Sequence, residues 1–218
     1  MKKLLLLAFI ALCTGIIIPQ KLYAVDISVG ASTWYVWWDR DEVDIDPAFL
    51  YGPVLAAKFT DNFNMTFVYL HGRFDAKDTA NTFTMKRNDS DIALNFRLNN
   101  YFKLFAGMKY MSYSGIGNNT SYGPGIGISA TFPILENLFL LANISIIYLW
   151  GDNDGGDFKE QGTNSSLSLA YYIASASTVI SLGGRYQEFT TVYDDNNKSR
   201  IKHEFYGVTL TATYTFSI

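Results

Sequence analysis

From Phe205 to Ile218 the chain alternates between two kinds of side chain almost without interruption. Ile218, Phe216, Tyr214, Ala212, Leu210, Val208 and Tyr206 fall on one face of an extended strand. Ser217, Thr215, Thr213, Thr211, Thr209 and Gly207 fall on the other, because successive side chains of a strand point to opposite sides. A strand in a soluble sheet commonly runs about 5–6 residues, less than half of this segment. A tilted strand needs about 9–11 residues to cross roughly 30 Å of hydrocarbon, which this segment supplies. Its apolar face suits lipid, and its small hydroxyl face suits a narrow interior. Such a strand belongs to a closed transmembrane β-barrel.

The other end agrees on the compartment. Lys2 and Lys3 precede an apolar run from Leu4 to Ile18, and Leu22-Tyr23-Ala24 offers a small residue for cleavage. Residues 1–24 therefore read as a removed signal peptide, leaving 25–218 as one barrel domain. A lipid-anchored start at Cys13 is the rival reading, disfavoured by the bulk of Leu12 and by the short segment ahead of it. With cleavage at Ala24 the mature chain has no cysteine, which excludes disulfides, thiol catalysis and cysteine metal sites. The net charge of −3 and the absence of a basic stripe exclude a nucleic-acid partner.

Period-2 segments recur near 25–38, 49–60, 63–74, 88–98, 101–113, 121–132, 138–150, 163–173, 176–188 and 203–218. These predict an all-β, closed, antiparallel up-and-down barrel of about ten strands, with eight or twelve as alternatives. Short connections alternate with longer polar ones at 39–48, 75–87, 114–120, 151–162 and 189–202, matching periplasmic turns and five extracellular loops. Parity tests the hairpins, since directly opposed residues share a face. Ile92, Leu94, Phe96 and Leu98 match Phe102, Leu104, Ala106 and Met108 across the odd turn Asn99-Asn100-Tyr101. Leu167, Leu169, Tyr171 and Ile173 match Ala176, Thr178, Ile180 and Leu182 across Ala174-Ser175. In the third strand, the outward set Phe63, Met65, Phe67 and Tyr69 continues into His71 and Arg73. Either these two reach headgroup level, or a bulge near Leu70 switches the face. Trp38, Tyr110, Tyr113, Tyr122, Tyr148, Tyr186 and Tyr206 are among the residues read as an outer aromatic girdle.

With its signal peptide, ten alternating strands and terminal Tyr214-x-Phe216-x-Ile218, the chain resembles the small outer-membrane β-barrels of Gram-negative-type bacteria. That resemblance implies a bacterial outer-membrane location. It also implies that Tyr214, Phe216 and Ile218 form the signal read by the barrel assembly machinery, although the last residue is Ile rather than an aromatic. It identifies an architecture and not a function.

The inward set divides into small residues, such as Gly123, Gly125, Gly127, Ser166, Ser168 and the terminal threonines, and the charges Lys58, Asp91, Arg97, Lys103, Lys109 and Arg185. Opposed residue numbers in the fourth hairpin sum to 200, so Asp91 faces Lys109 and Arg97 lies beside Lys103. A barrel of this size has room for little more than its own side chains, so the expectation is a lumen plugged by charge networks. His71 and His203 read as rim residues near lipid headgroups, and the acidic runs 39–46 and 152–157 as solvated loops. No catalytic, cofactor-binding or metal-ligating residue is assigned, and no cofactor is implied. The expected role is non-enzymatic, structural or adhesin-like surface interaction by a monomer surrounded by outer-membrane lipid. A narrow porin-like channel for small polar or anionic solutes is the alternative. An outer-membrane protease or a lipid-modifying enzyme is the remoter one.

Overall fold

A computed structural model describes residues 25–40, 44–77, 82–115, 117–154, 156–193 and 200–218; residues 1–24, read above as a signal peptide, lie outside the described residues. Ten long strands follow in order. They are β1 Asp26–Arg40, β2 Ala48–Lys58, β3 Phe63–Lys77, β4 Thr82–Arg97 and β5 Phe102–Ser114. Then come β6 Asn119–Leu135, β7 Leu138–Asn153, β8 Gly156–Ile173, β9 Thr178–Tyr193 and β10 Arg200–Ser217. Each pairs antiparallel with its sequence neighbours, and β10 pairs with β1 from Asp26↔Ser217 to Arg40↔His203, closing the sheet. Lipid offers no hydrogen bonds to a free strand edge, so closure is what makes the fold tolerable in a membrane. The two-residue strand Asp44–Ile45 folds back against the end of β3.

The hairpins follow from the alternation, with one difference. The β4–β5 register sets Asp91 opposite Lys109 and Arg97 opposite Lys103. Between β8 and β9 the expected two-residue turn is instead a 3-10 turn, Ala174–Ala176, followed by Ser177 with φ 45°. Ile173 therefore lies opposite Thr178 and not Ala176. Two added residues preserve parity, so Leu169, Tyr171, Ile180 and Leu182 stay exposed on the outer face.

Several strands run further than the alternation of apolar outer residues suggests. Much of 75–87, 151–162 and 189–202, read above as loops, is paired strand: the ladders extend to Lys77↔Thr82, Asn153↔Gly156 and Val192↔Arg200. β3 carries no bulge. Its pairing with β4 is unbroken from Phe63↔Phe96 to Lys77↔Thr82, so His71 and Arg73 remain on the outer face.

The reason is a change of solvent along the strands. Between the turns and a ring that includes Tyr69, Tyr110, Tyr122, Tyr148, Tyr186 and Tyr206, the outer face shows exposed apolar residues such as Leu55, Leu104, Ile144, Ile146, Leu167 and Leu210. Toward the loops the outer face turns polar, with Arg73, Lys86, Glu188, Lys202 and Glu204, while the inner face turns apolar. Trp34, Val36, Leu50, Leu70, Phe74, Met111, Leu149, Phe189 and Phe205 are all at most 2 % exposed there. Water has replaced lipid outside, and the barrel packs like a soluble one. Trp38 and Tyr113, expected in the girdle, belong to this interior cluster. The division of the lumen into small and bulky regions thus runs along the barrel axis.

Candidate functional site in the barrel lumen

Five charged side chains meet inside the apolar packing. β4 is the source of Arg87, Asp89 and Asp91, three alternate residues on its inner face, and β5 and β9 supply Lys109 and Arg185. The Arg87 Nη2 donates to Asp89 Oδ2 at 2.6 Å and to Gln187 Oε1 at 2.9 Å. The Lys109 ammonium donates to Asp89 Oδ1, and lies 3.1 Å from Asp91 Oδ1. Arg185 closes the row, with Nη2 3.2 Å from Asp91 Oδ2 and Nε donating to Asn164 Oδ1 at 3.0 Å. Signs alternate along Arg87–Asp89–Lys109–Asp91–Arg185, so every carboxylate lies between two cations.

The row holds one more cation than carboxylate, and aromatic faces take up the surplus. The Arg87 guanidinium lies 4.1 Å from the Phe205 ring centre, 5.5 Å from Tyr113 and 5.6 Å from Trp34. Arg185 sits 4.8 Å from Trp34, so this indole is flanked by two guanidinium groups. Arg87 and Gln187 are fully buried. The Nε and Nη1 of Arg87 have no hydrogen-bond acceptor among the described residues, and the guanidinium lies among the rings.

Other polar groups line the same chamber. Glu160 of β8 accepts from Ser121 Oγ at 2.8 Å and Thr191 Oγ1 at 3.0 Å, and burial raises its pKa. The outer neighbours of His203 are Lys202 and Glu204, so it lies above the lipid, but it points inward against Trp38 and Phe205. Burial, with Arg40 and Arg87 nearby, pushes its pKa down to about 4. That corrects its reading as a rim residue. His71 is the one on the outer face, with Nδ1 2.8 Å from Asn88 Oδ1.

The remaining charges singled out above lie apart, toward the turns. Lys58 reaches Asp61 at 2.7 Å and Asp26 at 4.0 Å. Arg97 turns to the Asn99 carbonyl and the Asn100 side chain at 3.2 and 2.6 Å, away from the half-buried Lys103 opposite. Ser28–Thr215 and Ser32–Thr211 hydroxyl pairs, at 2.8 and 2.7 Å, line the seam in this half. Tyr214 and Phe216 of β10 and the terminal Ile218 are exposed, Tyr214 opposite Val29 and Phe216 opposite Ile27.

Arg87 escapes the sequence reading because the fourth strand begins there at residue 88, whereas Asp89, Gln187 and Trp34 lie within the predicted strands without being singled out. Extending the parity of Asp91 backward through Asp89, Arg87 and Met85 would have found the row. At the loop end, a groove of about 690 Å³ is lined by residues of both faces, including Tyr122, Trp150, Phe158, Lys159, Tyr193 and Arg200. Among the described residues, no group of three His, Cys, Asp or Glu is placed to hold a metal ion.

No protein-family model matches the chain, and no characterised protein matches it by sequence. Its fold is similar to that of outer membrane protease OmpT from Escherichia coli, with TM-score 0.50 and 12 % identity over 90 % of this chain and 99 % of that one. It is also similar to the translocator domain of the autotransporter NalP from Neisseria meningitidis, with TM-score 0.51 and 9 % identity over 99 % of this chain and 96 % of that one. With its closed ring of ten strands and its lipid-facing apolar band, this chain is a β-barrel of the bacterial outer-membrane type.

Proposed function

We propose that this barrel is a non-conducting, non-enzymatic surface protein whose working parts are its extramembrane wall and loops. The observation that carries this reading is the filled upper lumen. β1, β2, β3, β4, β5, β7, β9 and β10 all send fully or nearly fully buried side chains into one packed cluster around the charge row. A hydrated ion meets there an apolar constriction and charges already paired with each other. Neither histidine adjoins a carboxylate among its observed contacts, which are Asn88 and Tyr51 for His71, and Trp38 and Phe205 for His203. The surface role rests on the groove beside Trp150. Its volume falls in the range of about 300–1,000 Å³ typical of ligand sites, and it combines aromatic faces with charged side chains.

Two experiments test the two halves. Purified protein in planar bilayers should give no unitary conductance steps, and reproducible steps in the wild type would overturn the closed-lumen reading. Cells displaying the barrel should attach to matrix-coated surfaces better than cells displaying Trp150→Ala. Equal attachment would remove the groove from the surface role. The exposed Tyr214, Phe216 and Ile218 serve, on this reading, in recognition by the barrel assembly machinery, and the folded protein is a monomer in outer-membrane lipid.

A further inference from the structure

The outer wall opposes like charges directly across neighbouring strands at several places among the described residues: acids at Glu188–Glu204, Asp39–Glu204 and Asp152–Asp157, and cations at Arg73–Lys86. Glu188 of β9 lies opposite Glu204 of β10, and Lys202 bridges them: its ammonium is 3.3 Å from Glu188 Oε2 and also bonded to Glu204 Oε1. Arg73 of β3 lies opposite Lys86 of β4, both exposed. Neither has a hydrogen-bond or ion-pair partner among the described residues. The nearby acids are engaged otherwise. Asp75 accepts from Thr84 at 2.7 Å, and Asp46 pairs with Lys77 at 3.0 Å. Like charges directly opposed across strands are destabilising, so this pair calls for an anion from outside the chain.

Height along the barrel says which anion. Arg73 lies four residues beyond Tyr69, on the same outer face. At about 3.3 Å per residue and a tilt near 40°, that is roughly 10 Å above the tyrosine ring. Aromatic belts mark the headgroup level, and long basic side chains can lean back toward the interface. We propose that Arg73 and Lys86 form a clamp for the phosphate of an outer-leaflet lipid headgroup. Two cations on adjacent strands grip one phosphate, and the anion cancels their mutual repulsion. Below the clamp, Tyr69 Oη and His71 Nδ1 both meet Asn88 Oδ1, at 2.9 and 2.8 Å. These interfacial side chains are thus already bonded to each other, and the clamp lies directly above them on the same two strands. The proposal is independent of the adhesive reading above.

The test uses the full chain purified in non-ionic detergent, with native mass spectrometry of bound lipid. The probes are a phosphorylated glycolipid and its dephosphorylated form. Wild type should retain the phosphorylated lipid about tenfold more tightly than R73Q/K86Q does. R73K/K86R should keep most of the binding, and K202Q, which removes a cation that already has partners, should match wild type. Unheated gels report whether each variant is folded. Equal retention by wild type and a folded R73Q/K86Q would overturn the clamp, as would equal retention of the two lipids. Displacement of the lipid by stoichiometric inorganic phosphate would overturn the lipid as its occupant.

Discussion

Buried charge makes single residues unequal in this barrel. Asp89 is 1 % exposed and compensates both Arg87 and Lys109, so Asp89→Ala leaves buried Arg87 without a carboxylate and Lys109 with Asp91 alone. Its expected cost is about 3–5 kcal/mol in urea unfolding from lipid vesicles. Asp91 carries two cations as well, but its side chain is 34 % exposed and water can replace it. Asp91→Ala should therefore cost under about 2 kcal/mol, and a loss equal to that of Asp89→Ala would contradict the burial argument. Trp34→Ala should also cost about 3–5 kcal/mol, because it opens a cavity and uncovers both guanidinium groups. Lys58 lies with Asp61 in the solvated turn region, and Lys58→Ala should shift stability by less than about 1 kcal/mol. Of these residues the sequence picked out Lys58, Asp91 and Lys109 by parity. It did not rank them, because rank depends on burial, and burial depends on what the opposite wall sends inward.

Individual strands keep the phase of their alternation and change its chemistry. In β3 the outer face runs from Phe63, Met65 and Phe67 to Arg73, Asp75 and Lys77, while the inner face goes from Asn64 and Thr66 to Leu70, Phe74 and Ala76. Searching for apolar outer residues therefore ends the strand too early, since its upper part is built for water outside. Hydrogen exchange distinguishes the two accounts: amides of 82–88 and 157–163 should be protected as ladder positions. Exchange at loop rates would show that the wall stops at the membrane. The closing seam makes its own demand. A β-carbon added at Gly207 would collide with the Tyr35 carbonyl on β1, backbone that cannot swing aside. Gly207→Ala should destabilise the barrel by about 1–3 kcal/mol, measurable as earlier unfolding on heating.

As a whole the molecule stands in two solvents, and its stability should respond to the pH of the upper one. His203 has a folded pKa near 4, below its ordinary 6.5. Between those values the unfolded chain binds the extra proton, so stability should fall as pH drops from about 6.5 toward 4. Buried Glu160 is shifted upward and acts in the opposite sense, losing its contribution as pH rises past its ordinary 4.5. Comparison of wild type with His203→Phe isolates the histidine, and identical slopes between pH 4 and 6.5 would exclude it. By itself the sequence determined that these strands are long, which side chains share a face, that the hairpins close in a consistent parity, and that one face meets lipid. Those properties rest on neighbours two residues apart and on short turns. Only the tertiary structure decided that the wall rises above the membrane, and that Arg87, Asp89 and Trp34 meet Lys109, Gln187 and Phe205 at its centre. Such contacts join strands far apart in the chain, and they depend on the tilt and closure of the ring, which no local alternation encodes.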